Sequence, residues 1–127
     1  MNRVGLIEKG LTGSIIDAFF EVYNILGFGY LEEIYAKALE RELMSRGHKV
    51  LREVSIRVVY KGYLVGLQRI DMLVDDKVLV ETKSTFELPF TAQRQVLNYL
   101  QATSIEVGLL LHFGPEPRFY RFVSTNK

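Results

Sequence analysis

Apolar side chains recur at two different spacings along the chain, and the change of spacing divides it into helical and strand-forming parts. In the first part they return every three to four residues, which predicts helices over about residues 7–26 and 31–46. The "GFG" at 27–29 separates these helices, and Gly47 suits the residue after a helix end. Their predicted inner faces carry Ile15, Ile16, Phe19, Phe20, Tyr23 and Leu26 in the first helix, and Ile34, Tyr35, Ala38, Leu39 and Leu43 in the second.

From residue 54 onward, apolar and polar residues alternate, which is the period of a β-strand. The pattern predicts strands over residues 54–60, 64–74 and 78–83. The turn "YKGY" joins the first two, and the tight connection "DDK" at 75–77 joins the second to the third. Three consecutive strands with such short turns are typical of an antiparallel meander.

After this meander the chain returns to a helix and then to strands. Pro89 suits a helix start, and the helix is predicted to end near Ala102. The apolar run at 105–113 predicts a buried strand, and residues 118–123 predict a short last strand. The order ααβββαββ is typical of an α/β or α+β fold with a mixed β-sheet flanked by helices, and the length of 127 residues predicts a single domain, 1–127. Expected core residues are Phe19, Phe20, Leu39, Leu79 and Leu110.

Composition narrows the class of protein without naming a function. Apolar residues make up 48% and charged residues 24% of the chain, as in ordinary globular proteins. The chain has no cysteine, which excludes disulfides and thiolate metal sites. No signal peptide is recognisable, so a cytoplasmic location is expected, and the apolar runs are too short to span a bilayer.

The net charge of +1 neither requires nor excludes a nucleic-acid partner. Any basic surface must therefore be local. The candidates are Arg41, Arg46, His48, Lys49 and Arg52, and separately Arg118 and Arg121. Scattered lysine and arginine more often serve solubility, and that simpler interpretation is preferred here.

The third predicted strand, "VLVETKS" at 78–84, begins apolar and ends in two charges on one face. Glu81 and Lys83 are two positions apart, and Asp71 lies inside the neighbouring strand, so the three side chains are expected to converge. Two carboxylates suit magnesium, and a lysine can hold a water or stabilise a developing anion, so the group suits metal-dependent phosphodiester hydrolysis. The alternative is a surface ion pair at a fraying strand end, because short patterns of this kind are common by chance.

Two helices carry further polar residues. Gln95 and Tyr99 are one turn apart on the apolar face of the last helix, where a glutamine needs a partner such as a metal-bound water or a phosphate. Glu32 opens the second helix, where a carboxylate favours the positive end of the helix dipole, and Tyr35 follows one turn later. Taken singly, Gln95 is equally an edge residue and Glu32 a helix-end charge.

In combination these motifs resemble the GxxExxY family, which is placed in the PD-(D/E)XK nuclease-like superfamily. The Gly29–Glu32–Tyr35 spacing resembles the motif that names the family. The other matching segments keep the family's order over roughly residues 15–123: "YKG" at 60–62, "IDMLVDDKVLVETKS", "QVLNYL" at 95–100 and "VGLLLHFG" at 107–114.

The resemblance implies a restriction-endonuclease-like core and a Mg²⁺ or Mn²⁺ cofactor. The implied site consists of Asp71, Glu81, Lys83 and Gln95 as catalytic residues, Asp71, Glu81, the Thr82 backbone carbonyl and Glu32 as metal contacts, and Tyr99 and Tyr35 as substrate contacts. Two positions depart from the superfamily pattern. Ile70 stands where the proline is expected, and Thr82 stands in place of an apolar residue.

Two function classes remain open. The first is a metal-dependent nuclease acting on DNA or RNA, which the complete Asp71–Glu81–Lys83 set favours. The second is a non-catalytic nucleic-acid or protein interaction module on a nuclease-like fold, because fold alone does not decide function. The oligomeric state is also open, and a homodimer is considered because it would double a small binding surface.

Overall fold

The computed structural model describes residues 7–125. Within that range the chain forms three helices and five strands in the predicted order ααβββαββ. These are α1 (Lys9–Leu26), α2 (Glu32–Ser45), β1 (Val50–Tyr60), β2 (Tyr63–Val74), β3 (Val78–Lys83), α3 (Thr91–Ala102), β4 (Val107–Phe113) and β5 (Pro117–Val123). None of the helices in residues 7–125 is both long and apolar enough to cross a membrane.

The five strands form one mixed sheet in the order β1-β2-β3-β4-β5, which confirms the predicted fold class. The pairs β1–β2, β2–β3 and β4–β5 are antiparallel, and β3–β4 is parallel because α3 carries the chain across between them. β3 has the predicted bounds. β1 begins at Val50, earlier than the alternation predicts, because Val50 and Leu51 pair with Val74 and Leu73 even though they do not alternate with polar residues.

Side-chain alternation along the central strands divides the core into two layers. Val78 and Val80 face α1 and α2, whereas Leu79 faces α3 together with Leu110 of β4. The predicted core residues Phe19, Leu39, Leu79 and Leu110 are completely buried. Their burial confirms them as core residues, and because both faces of β3 and β4 are covered, the neighbouring residues of these strands are buried as well.

One predicted core residue, Phe20, and one predicted inner-face residue, Ile34, are less buried than expected. Phe20 is only half-buried and packs beside Phe19. Ile34 is 42% exposed, because the inner face of α2 is centred on Tyr35, Leu39 and Leu43 and leaves Ile34 on its outer side.

The β1–β2 hairpin extends well beyond the rest of the sheet. Its pairing continues to Tyr60 and Tyr63, whereas β2 pairs with β3 only over Met72–Val74. Lys61 and Gly62 both have positive φ, as a two-residue hairpin turn of the right twist requires. The outer part of this hairpin exposes Val59, Tyr60, Tyr63, Leu64, Val65 and Leu67.

Candidate active site

Asp71 and Glu81 meet where β2 and β3 diverge. The pairing between these strands ends at Met72 and Val80, and one further step sets Asp71 opposite Glu81. Beyond that point, hydrogen bonds to the two carboxylates replace the backbone–backbone hydrogen bonds between the strands. Glu81 Oε1 accepts the N–H of Asp71 at 2.9 Å, and Asp71 Oδ2 accepts both the N–H and the hydroxyl of Thr82 at 2.7 Å. Each strand is thus bonded to the carboxylate of the other, and both acids lie on the face that carries α3.

Lys83 lies two residues beyond Glu81 on the same face of β3. It forms part of the wall of a groove of about 760 Å³ between the hairpin and α3, together with Gln95 and Tyr99. Burial raises the pKa of the Glu81 and Glu32 carboxyl groups, and the positive charge of Lys83 opposes that rise in each. Asp71, Glu81 and Lys83 therefore lie close together on one face of the sheet, as expected from the sequence.

The buried carboxyl group of Glu81 is electrostatically costly. Its side chain is 3% exposed, and burial raises its pKa to about 8, with a further contribution from the negative charge of Asp71. Burial also raises the pKa of Tyr99 to about 12, and the negative charges of Glu81 and Asp71 contribute to this rise. A second carboxylate this close disfavours ionisation unless a cation compensates the charge. A cation bound beside the two acids would therefore favour the ionised form of Glu81.

Two carboxylates and one carbonyl are available to a metal ion. Within the described residues, Asp71 Oδ1 and Glu81 Oε2 accept no hydrogen bond. The Thr82 N–H and hydroxyl both donate to Asp71 Oδ2, so the Thr82 backbone lies beside the carboxylates, and the role of its carbonyl as a metal contact stays a prediction. Magnesium typically takes one or two carboxylates and keeps several waters, so this donor set fits it. Residues 7–125 contain no group of three or more His, Cys, Asp or Glu side chains able to hold an ion.

Glu32 approaches the same cleft from the opposite layer. It lies at the start of α2, and its Oε1 accepts the N–H of Ser84 at 3.4 Å, just beyond Lys83. Burial raises its pKa; Lys83 opposes the shift and Asp71 adds to it. Because Glu32 forms no three-carboxylate group with Asp71 and Glu81, direct ligation of one ion by all three is not supported. A contact through water stays a prediction.

Gln95 and Tyr99 line the site from α3. Tyr99 is 3% exposed, and its hydroxyl donates to the Arg69 carbonyl at 3.4 Å. Gln95 is half-buried and lies close enough to hydrogen-bond to Tyr99, which lowers the pKa of that hydroxyl. The predicted placement of both residues beside the acids agrees with this geometry.

A family model described as the PD-(D/E)XK nuclease superfamily matches residues 9–122. The chain belongs to the PD-(D/E)XK nuclease superfamily. Two solved structures share its fold. The crystal structure of SSO0001 matches with a TM-score of 0.54 at 21% identity. The match covers 98% of this chain and 63% of that one, so this chain spans less than two thirds of the length of that protein. An alkaline exonuclease, LHK-Exo from Laribacter hongkongensis, has a TM-score of 0.52 at 14% identity over 99% of this chain and 73% of that one. No curated protein sequence matches significantly.

The superfamily's name describes an Asp followed later by Glu-x-Lys, which this chain contains as Asp71 and Glu81–Thr82–Lys83. Membership supports the nuclease-like class of the site. The narrower GxxExxY assignment stays a prediction, as do the individual roles of the site residues.

Tyr35 has a structural position in this superfamily member, and the prediction of a substrate contact is wrong. The side chain is completely buried and stacks on Phe113, with ring centroids 4.3 Å apart. Its hydroxyl donates to the Gly27 carbonyl at 2.5 Å and accepts the Tyr30 N–H at 3.2 Å. Gly29 has a φ of 116°, which favours glycine. The Gly29–Glu32–Tyr35 spacing therefore holds the loop before α2 against the end of β3.

The predicted basic surfaces are mostly neutralised by acidic neighbours. Arg52 bonds to Glu33 at 2.9 Å and to Glu40 at 3.3 Å, across β1 and α2. Three other candidates also form ion pairs, namely Arg46 with Glu42, Lys49 with Asp76, and Arg118 with Glu116. The interpretation of these residues as solubilising charges stays a prediction.

A hydrogen-bonded chain of Ser14, His48 and Asp75 was not predicted. Ser14 Oγ lies 2.7 Å from His48 Nε2, and His48 Nδ1 lies 2.7 Å from Asp75 Oδ2. The order of groups resembles a nucleophile, a base and an orienting acid. Ser14, however, lies inside α1, where the backbone N–H groups are used within the helix and cannot stabilise an oxyanion. The chain of bonds fastens α1 to the turn between β2 and β3.

Proposed function

We propose that this chain is a metal-dependent nuclease that hydrolyses phosphodiester bonds of DNA or RNA. The observation that carries the proposal is the junction of Asp71 and Glu81 across the diverging strands, with Lys83 in the adjoining groove. Membership of the PD-(D/E)XK nuclease superfamily supports it.

The proposed cofactor is Mg²⁺ or Mn²⁺, held by Asp71, Glu81 and the Thr82 carbonyl. When bound, such an ion neutralises phosphoryl charge and lowers the pKa of a bound water. Lys83 Nζ orients the attacking water and stabilises the negative charge that develops on the phosphoryl oxygen. The Gln95 amide donates to the water or to a phosphate oxygen from the groove wall.

The proposal is tested with the variants Asp71→Asn, Glu81→Gln and Lys83→Ala. Both amide variants should lose metal binding in calorimetry and lose cleavage, because an amide keeps the shape and removes the anion that holds the cation. Lys83→Ala should bind metal nearly normally and lose on the order of 10²–10³ in rate. Glu42→Gln, whose carboxylate pairs with Arg46 on α2, is the matched control and should behave like the unmodified chain.

Single-stranded, duplex and branched substrates belong in the same assay. Cleavage that survives Glu81→Gln would place the activity elsewhere. Tight metal binding without cleavage of any substrate would favour the second candidate, a non-catalytic interaction module. The apolar side chains exposed on the outer hairpin are the observation that favours that alternative. A cytoplasmic location, a homodimer and a single-domain protein stay predictions alongside this proposal.

A further inference from the structure

Exposed aromatic side chains lie on two loops next to the candidate active site. The first loop, residues 27–31, precedes α2, and the second, residues 84–90, follows Lys83. Phe86 is 72% exposed and Phe90 is 89% exposed, and Phe28 and Tyr30 are also exposed. Large aromatic surfaces left in water beside a cleft often mark a binding site.

The two loops are joined to each other and anchored to the sheet. Ser84 Oγ donates to the Tyr30 carbonyl at 2.5 Å, and the rings of Phe28 and Phe86 meet edge to face with centroids 6.4 Å apart. Thr85 is held by the His112 ring, whose Nε2 lies 2.9 Å from the Thr85 carbonyl oxygen. Phe86 therefore lies on an anchored part of the backbone, three residues beyond Lys83. It borders a neighbouring cavity beside His112 and Arg118, outside the groove that Lys83 lines.

Phe90 brings an aromatic surface to the groove itself. It forms part of the groove wall together with Lys83, Arg94 and Gln95. The two basic residues of this wall match an anionic backbone. Basic side chains elsewhere add little to this attraction. The net charge of the chain is only +1, and most of the other basic candidates are paired with acids.

This combination favours unpaired bases over a duplex. Proteins that hold duplexes through phosphate contacts commonly use many cations, which this groove does not provide. Stacking of one base on an aromatic side chain contributes about 1–3 kcal/mol, and every base has a face to stack. In a duplex those faces are already covered by neighbouring base pairs.

We propose, on the basis of the proposed function, that the substrate is single-stranded nucleic acid. Its bases stack on Phe86 and Phe90, and its backbone lies along the groove beside Lys83 and Arg94.

The test measures binding of a fluorescently labelled oligonucleotide, single-stranded or annealed to its complement, by anisotropy with EDTA present to prevent cleavage. The single strand should bind at least about tenfold more tightly than the duplex. Phe86→Leu and Phe90→Leu keep an apolar side chain and remove the ring, and each should weaken single-strand binding by about 5-fold or more, the lower end expected for one stacked base. Phe86→Tyr and Phe90→Tyr keep the ring and should retain binding.

Met44→Ala is the control, because Met44 is 59% exposed in the last turn of α2, at the opposite end of that helix from residues 27–31, and its truncation should leave single-strand binding unchanged. Equal or tighter duplex binding, or leucine variants that bind like the unmodified chain, would overturn the inference. Failure of both the single-stranded and the annealed oligonucleotide to bind would overturn it as well. Metal-dependent cleavage measured on the same oligonucleotides separates the two proposals. If cleavage is unaffected by loss of the Phe86 and Phe90 rings, only the proposed single-stranded substrate is contradicted. If binding depends on the rings but no cleavage occurs, only the proposed nuclease activity is contradicted.

Discussion

At the scale of single residues, the protonation state of the Glu81 carboxyl group affects the stability of the folded chain. The carboxyl group is buried beside Asp71, and its pKa is raised to about 8 from an ordinary value of 4.5, mainly by burial. A carboxyl group whose pKa is raised on folding stabilises the folded chain fully below its unfolded pKa. That stability is lost as the pH rises through the folded pKa.

Glu81→Gln should therefore change the pH dependence of stability when EDTA removes metal ions. Between about pH 4.5 and 8 the unmodified chain should lose about 1.4 kcal/mol per pH unit relative to the variant, because the variant has no proton to release at this position. Urea unfolding at pH 5, 7 and 9 measures the difference. Parallel stability profiles for the two proteins would show that Glu81 is ionised at little cost. Glu42→Gln, on an exposed part of α2, serves as the control.

Asp75 shows the opposite sign at a partly exposed position. Burial acts to raise its pKa, but hydrogen bonds from His48 and from the Lys49 N–H outweigh it and lower the pKa below 3.8. Its contribution to stability is present above the unfolded pKa and is lost as the pH falls through the folded value.

Asp75→Asn should destabilise the chain by about 1 kcal/mol at pH 7 and by much less at pH 3, because the amide removes the charge that His48 and Lys49 bind. Asparagine tolerates the φ of 52° at this position, so backbone strain does not confuse the result. Asp76→Asn is the matched control. Asp76 has a φ of 58° and forms an exposed ion pair with Lys49, which contributes less than about 1 kcal/mol. Equal costs for the two variants at both pH values would contradict the proposed network.

At the scale of elements, the position of α3 depends on a close approach to β4. A Cβ added at Gly108 would lie 2.8 Å from Val96 Cγ1 and 3.0 Å from Leu79 Cδ1. The absence of a side chain at Gly108 therefore lets α3 lie directly on the sheet. The same helix carries Gln95 and Tyr99 to the carboxylates.

Gly108→Ala should cost about 1–3 kcal/mol of stability, because the added methyl group must displace Val96 or shift α3. The shift should also lower activity by moving Gln95. Gly13→Ala is the matched control, since Gly13 lies inside α1 with nothing within 4 Å of an added Cβ. That change should stabilise the chain by about 0.5–1 kcal/mol. Thermal unfolding compares the two, and a Gly108→Ala protein as stable as the original would show that the helix adjusts freely.

At the scale of the whole molecule, the near balance of charge limits how strongly phosphates are bound. The chain has 16 basic and 15 acidic side chains, and ion pairs involve several of the basic ones outside the groove. Lys83 and Arg94 are the two basic side chains of the groove wall. Affinity for a single strand should therefore depend little on salt.

With about two phosphate contacts, the slope of log K against log salt should be about −1.4 for a single strand. Anisotropy titrations between 50 and 300 mM salt measure it. The Arg94→Ala variant should reduce the magnitude of the slope by about 0.7, because it removes one of the two contacts. A slope steeper than about −4 would reveal an extended cationic surface and contradict the groove as the main phosphate site.

The sequence by itself determined the order of the elements, the bounds of β3 and the meeting of Asp71 with Glu81. These follow from local rules, because the period of a strand sets which face a side chain occupies, and short turns make consecutive strands neighbours. Burial of Leu79 and Leu110 followed from the same rules.

Only the tertiary structure decided which groups meet across layers. It showed that Tyr35, which the helical period already put on the inner face of α2, is too deeply buried to contact a substrate. It also brought Glu32 to the cleft without joining it to the carboxylate pair, and linked Ser14 to His48 and Asp75. It also neutralised most of the basic candidates and left the aromatic side chains of two loops exposed beside Lys83. These contacts join residues far apart in the chain, and their distances depend on how helices pack on the sheet, which no local period records.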